Sequence, residues 1–309
     1  MRNTFSKKLY DMIKKDKDVV IVLADLGYTV FDDIEKEFPG RIINVGIAEQ
    51  NMVGVAAGLA ISGKKPLIYS IVPFVTFRCL EQIRVDLCYN ELDVKIVGIG
   101  SGFSYGSCGP THQAIEDLSI MKSLPNMKVM CPASSDEVAL TMDYIFRNKG
   151  PAYISLTKNT AYGKFAPRKV SDYSYQILEG DEIAVLVNGS ILSNVYEACI
   201  ELKKEGISVA VYSLPFIKPF DVGAVKEILK KFNRILTIEE HNVVGGFGSS
   251  VAEIIAENTS EINNQIVFKR KGVKDTYIHE VGSHDFFLNI NGLSKDKIKE
   301  DLREFAGNK

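Results

Sequence analysis

No apolar run in the chain reaches the ~20 residues that a membrane-spanning helix requires; the longest, such as 19–24 and 53–61, stop well short. No long basic block is present either. With 37 Lys+Arg against 39 Asp+Glu the net charge is −2, so nothing tracks a phosphate backbone and nucleic acid is not expected as a partner. The opening residues, MRNTFSKKLYDMIKKDKD, lack the continuous apolar core and small-residue cleavage site of a secretory signal, and a cytoplasmic location is expected. The five cysteines, Cys79, Cys88, Cys108, Cys131 and Cys199, include no CxxC pair and are odd in number. That argues against a disulfide framework and a zinc site alike. What the chain does have is apolar material for one large or two medium cores: 46% hydrophobic residues, 25% charged and a mean hydropathy of +0.02 over 309 residues exclude disorder and a collagen-like fibre.

Short β-branched runs alternate with helix-period stretches, the pattern of a mostly parallel sheet covered by helices on both faces. Strands are expected at 19–23, 66–71, 94–99, 128–130 and 152–156, with helices near 50–61, 78–89, 114–122 and 134–148. The last helix opens on Ser134 and Ser135 with Asp136 and Glu137 in its first turn, a start signal that caps the free N–H groups and suits the helix dipole. From 160 to 176 the periodicity lapses around Gly163 and Pro167, which reads as a connector. A second alternation follows, with strands at 183–187, 208–212 and 234–239 and helices near 191–205, 221–231, 246–258 and 295–305. The expected fold is α/β in two domains, 1–160 and a smaller 179–309, joined by a linker at 161–178.

Glu49 stands at the head of an Ala- and Gly-rich helix in INVGIAEQNMVGVAAGLA. A glutamate there can simply favour the helix dipole. The small residues Ala56, Ala57, Gly58 and Ala60 suggest instead a close helix contact that buries the acid, and a buried carboxyl group lacking a cationic partner suits proton exchange with a ring nitrogen. His112 lies in a loop between Gly109, Pro110, Thr111 and Gln113, a setting that favours function over core burial. Cys108 shares that loop, SYGSCGPTHQ, and so differs from the other four cysteines, which read as small buried apolar residues.

INVGIAEQNMVGVAAGLA, then EQIR, then GPTHQAIEDLSIMKSLPNMKVMCPAS resemble the C-terminal half of transketolase, in the form that some organisms encode as two chains. The resemblance runs from Arg2 to about Ile290. It implies a pyrimidine-binding domain followed by a transketolase C-terminal domain, with thiamine diphosphate lying between two chains. The pyrimidine end would sit on this chain, and the diphosphate with its Mg2+ on the partner. Glu49 then matches the glutamate that hydrogen-bonds the aminopyrimidine and promotes the tautomer whose exocyclic nitrogen acts as a base. Asp25, in LADLG at the end of the first strand, matches an acid near the thiazolium; a helix-capping aspartate is the alternative. Ile71, Phe74 and Phe77 correspond to the pyrimidine pocket, with Phe74 the first choice for stacking, although phenylalanines at this spacing also serve as plain core. His112 matches a histidine that contacts substrate hydroxyl groups. Arg2 and Lys158 match two phosphate-binding arginines, and Thr29 a serine that assists them; as isolated residues the two cations read equally as solvated surface charges. His241 matches a second-domain motif of structural or interface role, and His279 and His284 match nothing catalytic.

Two departures from the family stand out. Cys108 occupies the place of an aspartate, and a further histidine of the phosphate pocket falls near Gly100. Losing a carboxylate that accepts from the substrate's hydroxyl points to a different acceptor. Something is also missing: no GDG followed about 25–30 residues later by Asn-Asn occurs, and GDE at 180–182 lacks the follow-up, so the metal and diphosphate must come from an N-terminal partner subunit. An α2β2 assembly acting on sugar phosphates is the expected form. The leading reading is the C-terminal subunit of a two-chain transketolase, moving a two-carbon ketol unit from a ketose phosphate to an aldose. The alternatives are a relative of deoxyxylulose-phosphate synthase or another acyloin-forming enzyme with a non-standard acceptor, a 2-oxo-acid dehydrogenase beta chain, whose match to GPTHQ is poorer, and a non-catalytic paralogue, which would have no need of Glu49.

Overall fold

Runs such as Val19-Val-Ile-Val-Leu23 carry aliphatic side chains on both faces, so they can only be satisfied as strands covered by helices above and below. The computed structural model describes residues 1–158, 167–262 and 265–307 and places these runs in two sheets. The first half contains α1 (Arg2–Lys15), β1 (Val19–Leu23), α2 (Asp32–Glu37), β2 (Ile42–Asn44), α3 (Glu49–Ile61), β3 (Lys65–Ile71), α4 (Val72–Val75), α5 (Leu80–Gln82), β4 (Lys95–Ile99), α6 (Asp117–Ser123), β5 (Lys128–Met130), α7 (Ser135–Arg147) and β6 (Ala152–Leu156). The second half contains β7 (Arg168–Lys169), β8 (Tyr175–Leu178), β9 (Ile183–Val187), α8 (Leu192–Lys204), β10 (Val209–Ser213), β11 (Phe216–Lys218), α9 (Val222–Lys231), β12 (Arg234–Asn242), α10 (Phe247–Glu257), β13 (Val267–Val273), α11 (His284–Ile290) and α12 (Lys295–Gly307).

The first sheet runs β11-β5-β6-β4-β3-β1-β2 and is parallel except for β11. The second runs β13-β12-β9-β10-β8-β7, parallel from β13 to β10. The architecture is therefore two α/β domains with mostly parallel sheets. Among the described residues no helix is long and apolar enough to cross a membrane.

Several elements differ from expectation for identifiable reasons. α1 has no counterpart among the expected helices, yet Phe5, Leu9 and Ile13 recur every four residues and are all buried. The helix expected at 114 starts at Asp117, because Ala114 first exchanges two backbone hydrogen bonds with Gly102 (2.8 and 2.9 Å). The helix expected over 78–89 begins at Leu80 and widens into a π-helix at Ile83–Tyr89, whose end is held by the Asn90 side chain donating to the Val85 and Asp86 carbonyls. In the segment read as a linker, β7 and β8 join the second sheet by antiparallel pairing, while residues 159–166 lie outside the described residues. β11, from the second half, extends the first sheet at β5, so the two domains share a sheet edge.

The start signal on α7 is realised in full. Ser134 Oγ accepts from the Glu137 N–H at 3.2 Å, and the Glu137 carboxylate reaches back to the Ala133 N–H at 2.6 Å. Burial pushes the Glu137 carboxyl up to about 7. A carboxyl raised in the folded state contributes stability that is complete below the unfolded value near 4.5 and is lost as pH rises through about 7, a span worth about 3 kcal/mol. Glu137→Gln keeps an acceptor for Ala133 and cannot ionise. Thermal unfolding should therefore show the variant gaining on the native protein between pH 5 and pH 8; an identical difference at both pH values would contradict the assignment.

Candidate active site

β1 and β3 are neighbours, but the chain leaves β1 towards β2 on one side and β3 towards β4 on the other. Their C-terminal loops diverge and open a crevice, the place where open α/β sheets bind ligands. Nearly every candidate residue follows one of these strand ends: Asp25 after β1, Glu49 after β2, Ile71, Phe74 and Phe77 after β3, Cys108 and His112 after β4, and Lys158 after β6.

Glu49 is the first residue of α3, and its side chain is only 4% exposed. It is not without a cationic partner: Arg78 Nη1 donates to Glu49 Oε2 at 2.7 Å. The small residues of α3 do not bury it as expected. Gly54 and Gly58 face outward, with nothing within 4 Å of where a Cβ would stand. The cover comes from the turn after α4, where Arg78 bonds the carboxylate and Glu49 acts electrostatically on the Cys79 thiol, which burial pushes up to about 12. Gln50 fixes that turn by donating to the Arg78 carbonyl at 3.0 Å.

Phe74 lies at the centre. The Arg78 guanidinium covers its ring at 4.4 Å, and the His112 imidazole meets it edge-on with centroids 5.0 Å apart. Ile71 ends β3 and is buried; Phe77 is half-buried in the turn beyond α4. His112 is half-buried, and Thr111 Oγ1 stands 2.9 Å from its Nδ1, which fixes the ring. Cys108 is exposed and ends a 3-10 turn at Gly106–Cys108.

The loop that carries both is tied at several points. Gly100 and Ser101 donate to the Leu156 carbonyl at 2.7 and 3.0 Å, and Ser104 Oγ lies 2.8 Å from Thr157 Oγ1. From the second domain, Glu240 Oε1 accepts from the Phe103 N–H at 2.7 Å and Phe287 stacks on Phe103 at 4.9 Å.

The charged residues divide. Lys158 is exposed, with Nζ 4.9 Å from the Tyr105 ring centroid. Arg2 heads α1, close enough for its charge to act on the Tyr69 and Tyr105 hydroxyls. It shares a groove of about 380 Å³ with Thr29, whose backbone is left-handed at φ 63° and whose N–H is held by Asp32 at 3.0 Å. Asp25 is exposed at φ 52° and bonds Asn44 and Tyr28. It caps no helix, because the residue preceding α2 is Phe31, and so the capping alternative falls.

Arg78 and Tyr105 are absent from the residues that the motifs mark. Arg78 follows directly on the Phe74–Phe77 pair, and a lone cation beside an aromatic pair is the only sequence signal that points to it. Among the described residues no group of three or more His, Cys, Asp or Glu could hold a metal.

The sequence matches the family described as transketolase, pyrimidine binding domain, over residues 1–163, and transketolase, C-terminal domain, over 173–298. A pyrimidine-binding domain of this kind implies thiamine diphosphate. The chain is 35% identical over 306 residues to one of the two subunits of the apulose-4-phosphate transketolase of Actinobacillus succinogenes, covering 96% of each protein. It is 33% identical over 316 residues to a 6-deoxy-6-sulfo-D-fructose transketolase subunit of a Clostridium species, covering 100% of this chain and 95% of that one. A solved structure described as a split gene transketolase, inactive beta4 tetramer, superimposes with a TM-score of 0.85 at 31% identity, covering 99% of this chain and 97% of the other. A buried carboxylate and an aromatic wall stand at the switch point of a pyrimidine-binding fold, and single subunits of split enzymes match the chain nearly end to end. The chain therefore belongs to the transketolase family, among the subunits of its split members that carry the pyrimidine-binding and C-terminal domains.

Proposed function

We propose that this chain supplies the pyrimidine half of a shared thiamine diphosphate site, and that with an N-terminal partner subunit carrying the diphosphate and Mg2+ it transfers a two-carbon ketol unit from a ketose phosphate to an aldose. The observation that supports this best is the Glu49–Arg78–Phe74 arrangement. Arg78 is a planar N–H donor lying on an aromatic face and bonded to a buried carboxylate. An aminopyrimidine is likewise flat, with a ring nitrogen able to share a proton with that carboxylate, so the residues present fit the group. Arg78 is 46% exposed and can turn to solvent to make room.

When bound, the cofactor supplies a carbon nucleophile whose charge its own ring stabilises. Glu49 would hold a proton at the pyrimidine nitrogen, in a site from which water is excluded. Phe74, Phe77 and Ile71 would form the walls of the ring pocket, with Asp25 at the neighbouring strand end towards the thiazolium. His112 would meet the substrate hydroxyl groups, and Arg2, Thr29 and Lys158 the substrate's anionic end. The domain division at 161–178 belongs to the same reading, with the strands β7 and β8 moved into the second domain.

The partner subunit and an α2β2 assembly are supported by what α3 leaves uncovered. Ile61 is 74% exposed on the face that carries Gly54 and Gly58, and Ile47 just ahead of the helix is 79% exposed. The split-gene relative forms a beta4 tetramer described as inactive, which fits a chain that lacks half of its site. Cys108 favours a second reading, an acyloin-forming enzyme with a non-standard acceptor, because a thiol cannot replace a carboxylate as hydrogen-bond acceptor.

The purified chain should be inactive and bind thiamine diphosphate weakly, because charge-assisted metal and diphosphate contacts are the partner's. Isothermal titration giving micromolar, magnesium-dependent binding by this chain alone would contradict that. Glu49→Gln, nearly isosteric, should leave the fold intact and lower turnover of the assembled enzyme at least ~100-fold; near-normal activity would refute the role of Glu49.

Cys108→Asp should restore an acceptor for the substrate hydroxyl, worth roughly ten- to hundredfold in specificity, and raise kcat/KM for ordinary aldose phosphates relative to the native enzyme. Steady-state kinetics on a panel of aldose phosphates and deoxy aldehydes decides this. An unchanged acceptor ranking would remove Cys108 from the specificity argument.

A further inference from the structure

One aromatic side chain, Tyr105, touches most of the charged end of the site. Its ring is half-buried and packs flat over Gly100, where an added Cβ would come within 2.2 Å of the Cδ2 and Cε2 atoms. Gly100 also has φ 94°, a conformation that side chains rarely adopt, so position 100 is closed to them and the ring has that space. Lys158 Nζ stands 4.9 Å from the ring centroid, and the His112 ring lies edge-on 6.3 Å away.

The hydroxyl end is near Arg2. Burial raises the phenol above its ordinary range while the Arg2 charge acts in the opposite direction. The backbone on both sides is fixed: the Tyr105 carbonyl accepts from the Cys108 N–H at 2.8 Å, and Gly106 donates to the Phe103 carbonyl at 2.8 Å. The ring is thus a rigid partition with a cation on its face, a second cation at its hydroxyl and the histidine at its edge.

We propose that Tyr105 is a specificity-determining residue for the anionic end of the substrate, its face orienting Lys158 and its hydroxyl joining Lys158 and Arg2 to form a three-donor set for a terminal phosphate. This rests on the proposed function, which places Arg2 and Lys158 at that end. A cation over an aromatic face keeps its N–H groups free for a second partner on the open side, which is what anion binding needs. Two cations and a neutral donor suit a dianionic phosphate better than a singly charged sulfo group, whose oxygens are poorer acceptors.

The test uses the enzyme assembled with its partner subunit, carrying Tyr105→Phe, which removes only the hydroxyl, and Tyr105→Val, which removes the ring. The substrates are an aldose phosphate, the same aldehyde with a sulfo group in place of the phosphate, and glycolaldehyde, which is too short to reach Tyr105. Tyr105→Phe should raise KM for the aldose phosphate about tenfold, the scale of one charged hydrogen bond, with a much smaller change in kcat. Competitive inhibition by inorganic phosphate should weaken in parallel, and Tyr105→Val should weaken it further. The loss with glycolaldehyde should be at least about fivefold smaller.

Equal losses on the phosphate and on glycolaldehyde, or unchanged inhibition by phosphate in both variants, would overturn the proposal. An equal loss on the sulfo aldehyde would overturn the assignment to phosphate. His112→Ala separates this proposal from the function it rests on: if it lowers turnover with every acceptor while the Tyr105 variants lose nothing, only the Tyr105 proposal falls. If His112→Ala is silent as well, the proposed function falls with it.

Discussion

Parallel pairing of β1, β3, β4 and β6 brings four strand ends to one edge of a sheet, and every later feature of the site depends on that alignment. A parallel ladder forces each connection to cross back over the sheet, so the loops at the C-terminal edge are free of the task of joining neighbouring strands directly. They can carry chemistry instead. The same strands are buried on both faces, which holds the loop anchors rigid while the loops themselves vary.

The carboxylate of Glu49 shows what that rigidity has to withstand. A charge at 4% exposure is costly unless it is paired, and Arg78 pairs it from a side chain that is nearly half exposed. One partner is therefore fixed by the start of α3, and the other is free to exchange between the carboxylate and water. That asymmetry suits a site that must accept a flat hydrogen-bonding ring. Two fixed partners would lock the carboxylate, and none would leave it unpaired in a half-built site. The stacking of Arg78 on Phe74 keeps the guanidinium close even when its bond to Glu49 is replaced.

The sequence carries the sheet and the motif residues, and it does not carry their partners. β1, β5, β6 and β9 fall on the residues expected for them, because unbroken aliphatic runs have no other way to be buried. The family motifs mark Glu49, Phe74 and His112, which the fold brings to one edge, with Phe74 touching His112 directly. Arg78 and Tyr105 are invisible in the sequence for a physical reason: each matters through a contact with a residue distant along the chain, Arg78 with Glu49 and Tyr105 with Lys158 and Gly100, and no local period encodes such a contact. Short edge strands escape in the same way. β7, β8 and β11 have few residues and take their stability from pairing rather than from their own pattern.

The second domain is tied into this edge through Glu240. Its carboxylate leaves β12 and accepts from the Phe103 N–H of the loop that carries Cys108 and His112, while the same oxygen meets His284 Nε2 at 2.7 Å. Burial alone would lower the basicity of His284, but the Glu240 charge outweighs it and raises the imidazole above its ordinary value. The loop is thereby anchored to an ion pair that is itself inside the protein, with Phe287 stacked on Phe103 beside it and the Gly106 backbone packed against the Phe287 ring. A hydrogen bond from a backbone N–H to a charged, buried acceptor is stronger than one to a neutral acceptor. Such an anchor fixes position more tightly than apolar packing, which tolerates sliding. A loop that must hold a histidine against an aromatic ring at one end and an exposed cysteine at the other gains its geometry from a domain that contributes nothing else to the site, and this is a physical reason for the two domains to remain in one chain.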